Sequence, residues 1–275
     1  MKNNLSLWVI AFIITAGSAL FQRMTGPSYP ASGTETFHGK KIHYVFDRSH
    51  SGISNHRVEI MTADSSIVGR LVWRRYKSSD SWTSLPMAYS NGSLAADLPT
   101  QPPAGKLLYR VYLSTGSDTT ALPPDEPVVI RYKGDMPTAL LVTHISLMFL
   151  GMLTSTRAGL EFFNKKPHLK KLTYWSIGLL FVGGIIFGPI VQHFAFGAYW
   201  TGWPFGPDVT DDKTAIIVLI WTIAAIALKK SRKPARWTIT AAIITLLVYL
   251  IPHSVLGSEL DYTAATHQQT TTGKP

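Results

Sequence analysis

Two patterns of apolar residues divide the chain. From residue 138 onward it runs in long apolar stretches, whereas residues 24–137 alternate in short segments separated by turn residues. A helix needs about 20 mainly apolar residues to cross the hydrocarbon layer of a bilayer. Five runs approach that length: residues 5–21, 139–156, 172–196, 214–228 and 237–251. The last two are short and reach across only by including flanking residues such as Trp237 and Tyr249, whose amphipathic rings suit the interface. The expectation is an α-helical membrane bundle of five spans, or four after signal cleavage.

The first run can be read in two ways. It follows Lys2, and Gly17-Ser18-Ala19 is an acceptable small-residue cleavage site for a signal peptide. It is also long for a signal core, and Arg23 follows at once, which favours an uncleaved anchor over residues 1–23. Either way residues 24–137 are carried across the membrane.

Within 24–137 the period is two, as in half-buried strands. Ile42, Tyr44 and Phe46 share one face, and Val58 pairs with Ile60, and Leu71 with Trp73. Leu94, Ala96 and Leu98 follow, then Leu107, Tyr109, Val111 and Leu113, then Val128, Ile130 and Tyr132. Ser90-Asn91-Gly92 and Pro102-Pro103-Ala104-Gly105 punctuate them as turns. About seven short strands at this spacing predict an exported all-β sandwich of immunoglobulin or fibronectin type. Trp73 and Trp82 are expected in its core and rim, and Arg74, Arg75 and Lys77 on a solvated face.

Charge sets the orientation. The net charge is +10, with a pI near 9.7. Residues 157–171 carry Arg157, Lys165, Lys166, Lys170 and Lys171 against Glu161, and residues 229–236 carry Lys229, Lys230, Arg232, Lys233 and Arg236 with no acid. These two loops supply +9 of the +10. Basic residues in short loops between apolar runs mark the cytoplasmic side and argue against a nucleic-acid partner. The β domain, the loop 197–213 and the polar tail 254–275 are then expected outside a bacterial inner (plasma) membrane, with a four-span membrane domain at 138–253. Asp208, Asp211, Asp212, Glu259 and Asp261 agree with that side. The absence of cysteine excludes disulfides, thiolate-ligated zinc and covalent c-type haem attachment.

No nucleophile motif, phosphate-binding loop or dinucleotide fingerprint occurs. His43, His50 and His56, near Asp47 and Glu59, have gaps that fit no standard zinc pattern. Gly178, Gly183, Gly184 and Gly188 in the third run suit close helix packing. The loop 197–213, rich in aromatics, Gly and Pro, reads as an ordered interfacial structure. Its Asp208, Asp211 and Asp212 could hold calcium, although capping of the following helix by Asp211 or Asp212 is the better reading.

Three histidines fall at one level near that end: His144, His193 and His253. Ionisable side chains inside a bilayer usually face the bundle interior. His144 and His193 are candidate axial ligands of a b-type haem, and with His253 they could hold a transition metal such as zinc or copper. The alternative is histidines that hydrogen-bond backbone or headgroups. The expected function is a non-enzymatic accessory, assembly or sensing component whose partners are the lipid bilayer and another membrane or exported protein. A haem- or metal-binding redox protein is the competing expectation, and a transporter fits less well.

Overall fold

Turn chemistry and period-two alternation build the first unit. A computed structural model of the chain describes residues 4–206, 208–252, 259, 260 and 262. Its contacts divide it into two units. One contains residues 28–135 and the tail from Glu259. The other contains residues 1–27 and 136–258.

The strands are β1 (Ala31–Phe37), β2 (Lys40–Phe46), β3 (Ser49–Ser51), β4 (His56–Met61), β5 (Val68–Arg75), β6 (Thr83–Ser90), β7 (Ser93–Leu98), β8 (Lys106–Thr115), β9 (Asp118–Leu122) and β10 (Val128–Lys133). Two hairpins turn on residue pairs with positive φ, His38-Gly39 and Asn91-Gly92. Such two-residue turns match the twist of the strands they join. The predicted alternation holds on β2 and β4, where every second residue is buried. It also holds on β8, whose Leu107, Tyr109, Val111 and Leu113 are fully enclosed.

The expected two-sheet sandwich is not formed. The strands β3-β10-β8-β5-β6-β7-β4 make one continuous eight-stranded sheet with β9 beside β8, curled nearly into a barrel, and β1 and β2 form a separate hairpin. The corner lies in β6. Its residues up to Met87 pair with β5, and from Ala88 it pairs with β7 instead. Gly69 stands opposite Met87, and a Cβ there would come within 3.0 Å of both Leu94 Cδ1 and Met87 Sδ. A side chain there would require Leu94 and Met87 to give way, so glycine suits the corner. Phe37, Ile42, Tyr44 and Phe46 of the hairpin join the same core as the inward residues of the large sheet. Trp73 is only partly buried against this core, and Trp82 lies at the rim with the Arg74 guanidinium 4.8 Å over its ring.

The described tail residues belong to this unit. Tyr262 is buried, Leu260 N–H donates to Ala104 C=O, and Glu259 accepts from Lys77 and Lys106.

The second unit is helical: α1 (Asn4–Thr25), α2 (Thr138–Leu160) running into a 3-10 turn (Glu161–Phe163), α3 (Leu169–Leu180), a π-helical segment (Phe181–Phe187), α4 (Gly188–Phe196), α5 (Val209–Lys230) and α6 (Pro234–Leu250). Among the described residues, three continuous helices are long and apolar enough to cross a membrane: Asn4–Thr25, Thr138–Phe163 and Leu169–Phe196. The expectation of five spans is therefore corrected to three. The apolar run of α5 is hemmed in by Asp211, Asp212 and Lys213 at one end and Lys229 and Lys230 at the other. That leaves it about 22 Å of apolar length, short of the roughly 30 Å hydrocarbon layer. With its 17 residues α6 is also short.

These two helices form an antiparallel hairpin whose register is set by polar contacts. The buried Trp221 Nε1 donates to Thr245 Oγ1 at 2.9 Å, and Lys213 Nζ donates to Ile251 C=O at 3.0 Å. Small residues carry the packing, with Ala158, Ala224 and Ala241 enclosed. Such residues let helix backbones approach where no hydrophobic gain separates protein from lipid.

Candidate functional site

The π-helical segment decides the setting of His144. A π turn leaves backbone carbonyls outside the regular ladder, and His144 Nδ1 lies 2.9 Å from Gly183 C=O. A carbonyl can only accept, so Nδ1 carries the proton and Nε2 is the basic nitrogen. Gly183 and Gly184 sit against Met148 of α2 and Thr214 of α5, where any side chain would overlap its neighbour. His193 is placed differently. Its ring stacks on Tyr199 with centroids 4.2 Å apart and planes within 3°, and its Nδ1 is buried without a partner. The two histidines thus engage different elements. His253 lies outside the described residues. Among the described residues, no group of three His, Asp or Glu side chains could hold a metal ion.

In the β unit His50 and His56 come together, with ring centroids 5.1 Å apart, while His43 bonds Thr34 Oγ1 at 3.1 Å. Burial, with the neighbouring His50, pulls His56 below the usual imidazole range despite Asp47 and Asp97.

The loop after α4 is ordered by carboxylates. Asp211 Oδ2 accepts from Thr201 N–H at 2.7 Å, Gly202 N–H at 2.9 Å and Gln192 Nε2 at 3.2 Å. Asp212 Oδ1 accepts from Trp203 N–H at 2.8 Å. The N-cap of α5 is Asp208, which takes Thr210 N–H at 2.9 Å, rather than the expected Asp211 or Asp212. All three acids are engaged in loop or cap hydrogen bonds. The loop presents Trp203 and Phe205 outward, 78% and 80% exposed.

A cavity lies at the other end of the helical unit. Its volume is about 440 Å³, and Asn4, Trp8, Arg157, Glu161, His168 and Lys171 line it together with Trp175. At its floor Arg157 and Glu161 form an ion pair whose side chains are 1% and 0% exposed. Asn4 Oδ1 accepts from Arg157 Nη2 at 2.5 Å, and the Arg157 guanidinium stands 5.4 Å from the centroid of Trp8. Glu161 Oε2 accepts from Asn164 Nδ2 at 2.9 Å and from His168 N–H at 2.8 Å. Arg157 Nε is left without an acceptor. A buried charge is tolerated when it is paired and hydrogen-bonded, and here Nη1 and Oε1 meet only as an ion pair while Nε has no acceptor.

This cluster was hidden in a stretch read only as a basic loop. The one cue was Glu161, the sole acid of residues 157–171, placed four residues after Arg157 and so on the same helix face. Nothing local tied Asn4, Trp8 or His168 to it. The chain matches no protein-family model and no curated relative.

Proposed function

We propose that the protein is a non-enzymatic accessory or sensing component, held in a plasma membrane by its helical unit, that presents the β unit on the side opposite the basic loops. The observation that carries this reading is the division of labour between the units. One holds, among the described residues, three helices long and apolar enough to cross a bilayer, with ten basic residues gathered at 157–171 and 229–236. The other has a closed apolar core of its own and keeps apolar side chains outside it, with Ile53 89% and Met61 74% exposed. Such side chains suit contact with another protein where they lie in one continuous patch.

The natural chain has no cysteine, so single cysteines report location directly. In intact cells a membrane-impermeant maleimide should label Asn91→Cys and should label Lys166→Cys only after permeabilisation. The opposite pattern removes the orientation. A photo-crosslinking residue at 53 or 61 should give a discrete adduct with a membrane or exported protein. Absence of an adduct from both positions counts against the partner-binding role.

A further inference from the structure

We propose that the cavity floored by Arg157 and Glu161 binds the phosphate of an anionic headgroup, with an anionic lipid as the favoured source. This goes beyond the reading above and does not depend on the β unit.

Three features converge there. The first is charge. Lys171 and His168 stand at the rim, and Lys170 joins the same two residues around an adjoining depression. The Arg157–Glu161 pair cancels itself, so the uncompensated charge of the cavity is the positive charge at its rim. The second is the start of α3. Its first turn holds Lys170 and Lys171, no acid and no side-chain cap. A helix N-terminus carries a partial positive charge and unpaired N–H groups, which favour an anion and disfavour lysines. Glu161 already accepts from the N–H of His168 at this helix end, but Arg157 neutralises it, so the two lysines leave a net positive charge that a further anion can meet. The third is Arg157, whose side chain is 1% exposed and lines the cavity floor, and whose Nε has no acceptor. Leaving such a donor unpaired is costly, and an oxygen of a bound headgroup would satisfy it.

The walls favour a lipid over a free ion. Trp8 and Trp175 line the same cavity, and Trp175 is 56% exposed. Indole rings at this level suit the boundary between headgroups and acyl chains. Basic pockets between membrane helices recognise anionic headgroups in this way.

The test is native mass spectrometry of the full chain in neutral detergent, titrated with phosphatidylglycerol, phosphatidylcholine or inorganic phosphate. Phosphatidylglycerol should bind more tightly than phosphatidylcholine, whose choline cation meets Lys171. Lys171→Gln should weaken phosphatidylglycerol about fivefold, the worth of roughly one basic residue at a membrane surface. Lys229→Gln, in the last turn of α5 and outside the cavity, should leave affinity unchanged. Arg157→Gln should weaken binding further, and Lys171→Gln keeps the test valid if that variant does not fold. Displacement of the lipid by inorganic phosphate would support the phosphate site and assign it to a free anion. Equal affinity for the two lipids, or equal loss in Lys171→Gln and Lys229→Gln, overturns the site in favour of unspecific surface attraction.

Discussion

The phenolic oxygen of Tyr262 accepts from the backbone N–H of Lys106 at 2.9 Å and lies 3.1 Å from the C=O of the same residue. A residue of the C-terminal tail thus completes the start of β8, the strand that joins β5, β9 and β10. The Arg75 guanidinium covers the Tyr262 ring at 5.0 Å, and Lys106 Nζ reaches Glu259 at 2.5 Å.

Tyr262→Phe should expose the consequence. Removing the hydroxyl leaves the buried Lys106 N–H unpaired, at a cost of about 1–3 kcal/mol. Tyr262→Ala should cost more, because the ring is lost as well. Hydrogen exchange of peptides spanning β8 and β10 should accelerate in both variants, while peptides from α2 and α3 should not change.

Acid should loosen the β unit. Burial and His50 hold His56 below its ordinary range, so between that lowered pKa and about 6.5 the unfolded chain binds more protons than the folded one. Stability therefore falls as pH drops below about 6.5. Glu259 acts in the same sense at lower pH. Burial raises its carboxyl, but hydrogen bonds from Lys106 and Lys77 outweigh that and hold it below the usual range. The stability it adds is present above the unfolded carboxylate pKa and is lost as pH falls through its folded value. Hydrogen exchange of β4 and β7, corrected for intrinsic rates, should show larger opening at about pH 5 than at about pH 7.5. His56→Gln should flatten the upper part of that dependence.

Two glycines should respond in opposite ways to alanine. A Cβ at Gly159 would lie 2.5 Å from Ala242 Cβ, in the contact between α2 and α6. Gly159→Ala should therefore destabilise the helical unit by about 1–3 kcal/mol through overpacking. A Cβ at Gly178 of α3 meets nothing within 4 Å. Gly178→Ala should be neutral or stabilising by up to about 1 kcal/mol, since alanine favours the helix. Thermal unfolding in detergent separates the two. Equal loss in both would place Gly178 in a contact absent from this packing.

What the sequence determined by itself is local. Alternation assigned the inward faces of β2, β4, β8 and β10, because one-sided burial forces a period of two on any strand. Asn91-Gly92 named a hairpin turn, because only residues that tolerate positive φ can close one in two residues. Apolar length marked the three helices able to cross a bilayer, because hydrocarbon thickness sets a minimum, but it also marked α5 and α6, which fall short. β1 and β6 were less legible, since β1 begins inside a Gly- and Ser-containing lead and β6 carries Pro86 with little alternation.

Everything that depended on distant partners was decided by the tertiary structure. The sheet became a single curled path because β6 changes partner at Met87, which no local pattern records. Only folding reveals that His144 faces a carbonyl of the π segment and His193 a tyrosine ring, since equal depth along two helices leaves their rotation open. The floor of the basic cavity joins Asn4 to Arg157 across 153 positions. A charge read from sequence can be counted and assigned to a side of the membrane. Whether it is solvated in a loop or buried against a partner depends on the helices that close around it, and for Arg157 and Glu161 those are α1, α2 and α3.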